Sequence, residues 1–157
     1  MTTSPVITRT VPRWAAPSSL VVCVLGLLDA LYLTYEHYTA SQTLACSETA
    51  TINCLKVTTS SYAQVLGIPM SDLGVVFFVV MTVLGLPALW RRAHPQVQLL
   101  RLAAAGVGVL SVFYLVWVEL FRLDAICLWC TGVHVLSLAL FGIVAVATAM
   151  TESHPEV

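Results

Sequence analysis

Charge is what this sequence has least of. Only 10% of its 157 residues are Asp, Glu, Lys or Arg, against ~25% in an ordinary soluble domain. So little charge cannot coat a water-exposed ball, and a mean hydropathy of +0.90 points the same way. The net charge of -1 leaves no basic footprint for nucleic acid. The long apolar runs also lack a polar face, a pattern of helices buried in lipid or in a large core. A soluble bundle with a greasy core is the competing reading, but 157 residues are too few to bury such helices from water. A small-residue cleavage site is missing too. Arg9 and Arg13 precede the first run as in a signal peptide, yet the run is long and ends in Tyr35-Glu36-His37-Tyr38, so it reads as a retained span.

A bilayer span needs ~20 mainly apolar residues. Four segments qualify: Ser19–Tyr38, Asp72–Trp90, Leu99–Phe121 and Cys127–Met150. The expected fold is an all-α membrane protein, a four-transmembrane-helix bundle. Residues 1–18 and 151–157 read as cytoplasmic tails, the first mobile and marked by Pro5, Pro12 and Pro17, and residues 19–150 as the membrane domain. Lys and Arg collect on the cytoplasmic side of membrane proteins. Arg9, Arg13, Arg91, Arg92 and Arg101 fall on one side and Lys56 and Arg122 on the other. Both termini are therefore expected in the cytoplasm. The long loop Thr39–Ser71 and the turn Arg122–Ile126 face outward. Trp90, Trp117 and Trp129 lie near the interfaces, as an aromatic belt requires. Within the long loop, Ser60-Ser61 ahead of Tyr62-Ala63-Gln64-Val65-Leu66 resembles a capped helical turn stopped by Gly67-Ile68-Pro69. It is expected to be a short amphipathic helix on the membrane surface.

This sidedness puts four of the five cysteines on the outer side, where disulfides form and persist. Cys23, alone in the first span, reads as a small core residue. Cys127-Leu128-Trp129-Cys130 is a C-x-x-C at a predicted helix start. Its sulfurs share one face about a turn apart, and the partial positive charge of the helix end favours thiolate. Cys46 and Cys54 have seven residues between them, which suits a loop disulfide able to open and close. Exchange through mixed disulfides would make the two pairs a two-electron relay. Two inert bracing disulfides remain an alternative. A four-cysteine zinc site is another, although zinc prefers two close pairs.

The order of these features resembles the vitamin K epoxide reductase family in its bacterial stand-alone form. The resemblance rests on the four spans, Cys46-x7-Cys54, Ser60 six residues later, Gly67-Ile68-Pro69 before the second span, and Cys127-x-x-Cys130 opening the fourth. Asp29-x-x-Tyr32-Leu33-x-x-x-His37 in the first span adds to it. The DsbB-like thiol oxidases, also four-helix proteins, carry their cysteine pairs in the reverse order. The resemblance implies that Cys46 receives electrons from a DsbA-like, thioredoxin-fold partner, that Cys54 attacks Cys127, and that Cys130 faces a quinone, menaquinone or ubiquinone. It implies that Ser60 supports the reactive cysteines; Ser60, Tyr62, His134 and Asp29 are expected to bind the quinone, and no metal is expected. The short chain without a fused thioredoxin-like domain is expected to be a monomeric enzyme of the bacterial inner or plasma membrane. Vitamin K epoxide reduction is the alternative activity.

The family's vertebrate members have tyrosine four residues after the last cysteine; here that residue is His134. It is expected either to donate to a quinone carbonyl or to bond a neighbouring helix. Asp29 stands mid-span, where a carboxylate is a functional candidate by default. An Asp29–His134 proton path is the sharper expectation, and a hydrogen bond inside the bundle the blander one. Glu119, close to the outer end of the third span, is expected to reach the headgroups. A non-catalytic, tetraspanin-like protein and a metal-binding or transport protein are the remaining functional classes. The spans show no inverted repeat of the kind many transporters have.

Overall fold

The computed structural model describes residues 7–39, 46, 49, 51–91 and 94–155. Arg92, most of the 40–50 stretch and both chain ends lie outside them. In chain order the elements are β1 (Ile7–Thr10), α1 (Ala15–Thr39), α2 (Cys54–Thr58), a 3-10 turn (Ser61–Ala63), β2 (Gln64–Val65), β3 (Ile68–Pro69), α3 (Met70–Leu84), α4 (Pro87–Arg91), α5 (Pro95–Val118), a π-helical turn (Glu119–Leu123), α6 (Leu128–Ala149) and β4 (Glu152–Pro155). α1 packs between α3 and α6, and α5 packs against α6 and α3, closing a ring of four helices.

The inner face of the bundle explains why these helices can approach so closely. On α1 the buried positions are Ser19, Cys23, Gly26, Ala30 and Leu33, spaced by three and four along one stripe. Most are small, as at helix contacts in lipid, where close backbone approach replaces the hydrophobic drive. The large apolar residues of α1, including Val21, Leu25, Leu28 and Leu31, are exposed. That inverts the soluble pattern and gives lipid an apolar surface. The ring of buried Phe78 lies where a side chain on Gly26 would stand, and the ring of Phe77 does the same at Gly108.

Among the described residues three segments are long and apolar enough to cross a membrane: Ala15–Thr39, Pro95–Leu123 and Leu128–Ala149. This is a membrane protein. α3 has 15 residues, roughly 22 Å at ~1.5 Å each, short of the ~30 Å hydrocarbon core. The expected continuous helix Asp72–Trp90 is broken because Pro87 has no N–H and its ring clashes one turn back. The Gly85 N–H instead caps α3 on the Met81 carbonyl, and α4 follows. At this break Arg101 is fully buried. Its Nε and Nη2 donate to the Leu84 carbonyl at 3.0 and 2.7 Å, and its guanidinium lies 3.6 Å over the Trp90 ring. Arg101 therefore closes the end of the bundle where a flanking loop charge was expected, and Trp90 is buried where a belt residue was expected.

Two further expectations change. The stretch before Ser19 holds β1, paired antiparallel with β4, and the first turn of α1. The loop helix expected over Ser60–Leu66 is a 3-10 turn followed by a two-residue hairpin, Gln64 facing Pro69 and Val65 facing Ile68. Leu66 and Gly67 both have positive φ, 54° and 81°, the backbone of a two-residue hairpin turn. A helix cannot run through that pair. The loop's helix is α2 instead, capped by Asn53, whose Oδ1 accepts from the Lys56 N–H at 2.8 Å.

Replacing Gly26 by Ala puts a methyl into the Phe78 ring. It is expected to cost about 1–3 kcal/mol and to lower the melting temperature in detergent. Gly106→Ala, with nothing within 4 Å of the added carbon, is expected to leave the melting temperature unchanged.

Candidate functional site

The outer loop is tied to the start of α6 by a short stretch of parallel pairing. Ile52 bridges Ile126; the Asn53 N–H donates to the Ile126 carbonyl at 3.1 Å, and the Ile126 N–H donates to the Thr51 carbonyl at 2.9 Å. The next residue on each side is a cysteine, Cys54 and Cys127. Both are buried in one cluster with Val57 and Ala125, and Cys46 and Cys130 pack against it. Cys46, Cys54, Cys127 and Cys130 therefore meet at one place. Cys46 and Cys54 are joined by a disulfide, with Cα atoms 6.2 Å apart. Cys127 and Cys130 are free thiols, as is buried Cys23.

Cys127 is the N-cap of α6, just outside the helix, and its Sγ accepts the Cys130 N–H at 3.2 Å. The Cys127 thiol is held below the ordinary cysteine range, first by a hydrogen bond from the Cys130 side chain. Backbone N–H groups of Cys130 and Trp129 add to this, while burial and the charge of Glu119 oppose it. A helix N-terminus acts in the same direction. Trp129, between the two cysteines, stacks on Tyr32 of α1 with ring centroids 4.6 Å apart, which fixes the helix start against its neighbour.

Below the cluster lies a mainly apolar cavity of about 90 Å³. Cys130 and His134 line it from α6, His37 from α1, Glu119 from the π turn, and Ser60 and Tyr62 from the loop. Cys130 and His134 share a face because they are four residues apart. His134 is buried and its Nε2 has no hydrogen-bond partner. The Ser60 hydroxyl donates to the Val57 carbonyl at 2.9 Å, which holds the loop onto α2. Arg122 lies over the rings of Tyr62 and Trp117, at 5.7 and 5.4 Å.

Asp29 is not among the cavity residues. Its Oδ2 comes within 2.6 Å of where a Cβ on Gly132 would be, so any larger residue there would make the Asp29 carboxylate swing aside. Among the described residues Oδ1 of Asp29, like Nε2 of His134, has no hydrogen-bond partner. Glu119 is 5% exposed and turned inward, contrary to the expectation that it reaches the headgroups.

The family model of the vitamin K epoxide reductase family matches residues 18–145. The chain belongs to that family. Its members are membrane oxidoreductases that work with thiols and with quinones or vitamin K, and the gathered cysteines fit that chemistry. Among the described residues no group of three or more His, Cys, Asp or Glu could hold a metal ion. Sequence reasoning singled out eight site residues. The structure brings seven of them to the cysteine cluster or the cavity and leaves Asp29 outside. It adds His37 and Glu119 to the cavity. The rule that flagged Asp29, a carboxylate within a span, would have flagged Glu119 as well.

The low-lying thiol is open to titration. With Cys23 replaced by Ala and Cys46–Cys54 closed, the ultraviolet thiolate absorbance is expected to rise at a lower pH than for free cysteine. Adding Cys130→Ala is expected to move that rise to higher pH, because the hydrogen bond that chiefly supports the Cys127 thiolate is gone. An unmoved titration would mean that the support comes from elsewhere.

Proposed function

We propose that this protein is a thiol oxidase that takes electrons from a DsbA-like, thioredoxin-fold partner and passes them to a membrane quinone such as menaquinone or ubiquinone. On this reading α1, α5, α6 and the broken α3–α4 pair make four spans. Both termini face the cytoplasm and the cysteines face the outer side, and the protein works as a monomer in a cell inner or plasma membrane. The observation that carries the reading is the single cluster of two cysteine pairs over a cavity that only Cys130 of the four enters.

The steps follow from that arrangement. A dithiol on the partner reduces Cys46–Cys54 and leaves as a disulfide. The Cys54 thiolate attacks Sγ of Cys127 in a Cys127–Cys130 disulfide and releases the Cys130 thiol. Cys46 then closes on Cys54 and frees Cys127. The outcome is a closed outer pair and two free inner thiols, which is the state described above. Cys127 and Cys130 then close their disulfide as two electrons and two protons pass to the quinone. A bracing role has no use for two adjacent unbonded thiols at a helix start.

The cavity suits a quinone ring. Its walls are mainly apolar, and His134 brings a buried nitrogen without a partner, a costly arrangement that a carbonyl acceptor would relieve. Its volume is below the ~300–1,000 Å³ of sites that enclose whole ligands, so a ring fits with its tail outside. Ser60 and Tyr62 border the ring from the loop side.

The assay mixes protein in detergent with a reduced thioredoxin-fold partner and a soluble quinone, and follows quinone absorbance. Wild type is expected to reduce the quinone, and Cys46→Ala, Cys54→Ala, Cys127→Ala and Cys130→Ala each to fail with the protein partner. Cys46→Ala is expected to retain turnover with a small dithiol, which can reach the inner pair directly. No thiol-dependent quinone reduction by wild type would overturn the reading.

A further inference from the structure

Quinone reduction leaves one proton stranded. Closing Cys127–Cys130 breaks two S–H bonds and forms one S–S bond; two electrons and two protons go to the quinone. Cys130 lines the cavity and can release its proton there. Cys127 has no exposed surface and does not line the cavity. Its proton needs a carrier that meets both Cys127 and the cavity.

Glu119 meets both. The Ala125 N–H, two residues before Cys127, donates to the Glu119 carbonyl at 3.1 Å, the Glu119 side chain is near enough for its charge to act on the Cys127 thiol, and it lines the cavity together with Cys130 and His134. It opens a π-helical turn. Such single-turn bulges re-aim side chains within a helix and recur at functional sites. The cation three residues on, Arg122, is spread over two aromatic rings.

We propose that Glu119 carries the Cys127 proton to the quinone. The proposal rests on the quinone-reducing function above. Glu119 takes the proton from the Cys127 thiol, passes it to a quinone oxygen, and ends as a carboxylate again. No outside acid, base or oxidant is needed. The other ionisable groups around the cavity are His37 from α1, Tyr62 from the loop, and Cys130 and His134 from α6. None of these belongs to the π turn that the Ala125 N–H ties to the chain just before Cys127. Asp29 lies outside the lining.

The test compares wild type with Glu119→Gln and Glu119→Asp, full length in detergent. Gln keeps the size of the side chain and loses the exchangeable proton. With a small dithiol and a soluble quinone, Glu119→Gln is expected to slow quinone reduction by roughly 10²–10⁴-fold, the usual range for a lost proton-transfer group, and to alter the pH profile. Glu119→Asp is expected to restore part of the rate. Without quinone, the Cys127 thiolate of Glu119→Gln is expected to form at lower pH than in wild type, because the opposing charge of Glu119 is gone. More thiolate with slower turnover is a combination that mere loss of fold would not produce, and unchanged melting temperatures would confirm intact folding. Glu119→Gln turning over as fast as wild type at every pH overturns the relay while leaving the quinone reading intact. A wild type that reduces no quinone overturns that reading and the relay with it.

Discussion

Two backbone hydrogen bonds between residues 51–53 and Ile126 hold the cysteine cluster together. Each contributes only about 0.5–1.5 kcal/mol, but their position matters more than their strength. They end where Cys54 and Cys127 begin. Disulfide exchange needs an attacking thiolate to reach a particular sulfur, and a loop cysteine free to wander would meet Cys127 rarely. The Asn53 cap on α2 and the stacking of Trp129 on Tyr32 hold the two sides of that contact. The cavity below exists because Ser60 and Tyr62 are carried over it by the same loop.

The bundle supports the site through a size rule more than through greasiness. Small residues on α1 let α3 and α6 come close, and two phenylalanine rings fill the space over Gly26 and Gly108. Large apolar residues face outward. At the opposite end from the cysteines, Arg101 joins α5 to the last carbonyl of α3 and covers itself with Trp90. Buried, hydrogen-bonded and stacked, the guanidinium completes the α3 terminus where Pro87 interrupts the helix.

Much of this was legible beforehand, and the misses share a cause. The apolar runs announced membrane helices because lipid-facing length is a property of a single segment. The C-x-x-C at the start of α6 was legible because helix-end chemistry is local. The misses were contests between local preference and neighbours. Tyr62–Leu66 has a helical pattern, but Leu66 and Gly67 adopt positive φ and turn it into a hairpin. Glu119 sits where a side chain could snorkel to the surface, and a π turn points it inward. Arg101 counts as a flanking charge on paper and is a buried one in the fold.

Residue types and their spacing by themselves determined the membrane setting, the two cysteine pairs, the family, and the placement of Cys130 and His134 on one face. These follow from hydropathy, helical period and thiol chemistry, which act within a few residues. Only the tertiary structure decided that Cys54 lies beside Cys127, that Cys130 alone of the four cysteines opens on the cavity, that Asp29 stands outside it, and that Glu119 turns inward to line it. Each of those is a contact between segments far apart in the chain. Such contacts are set by how whole helices pack and by a few backbone bonds, and no local pattern encodes them.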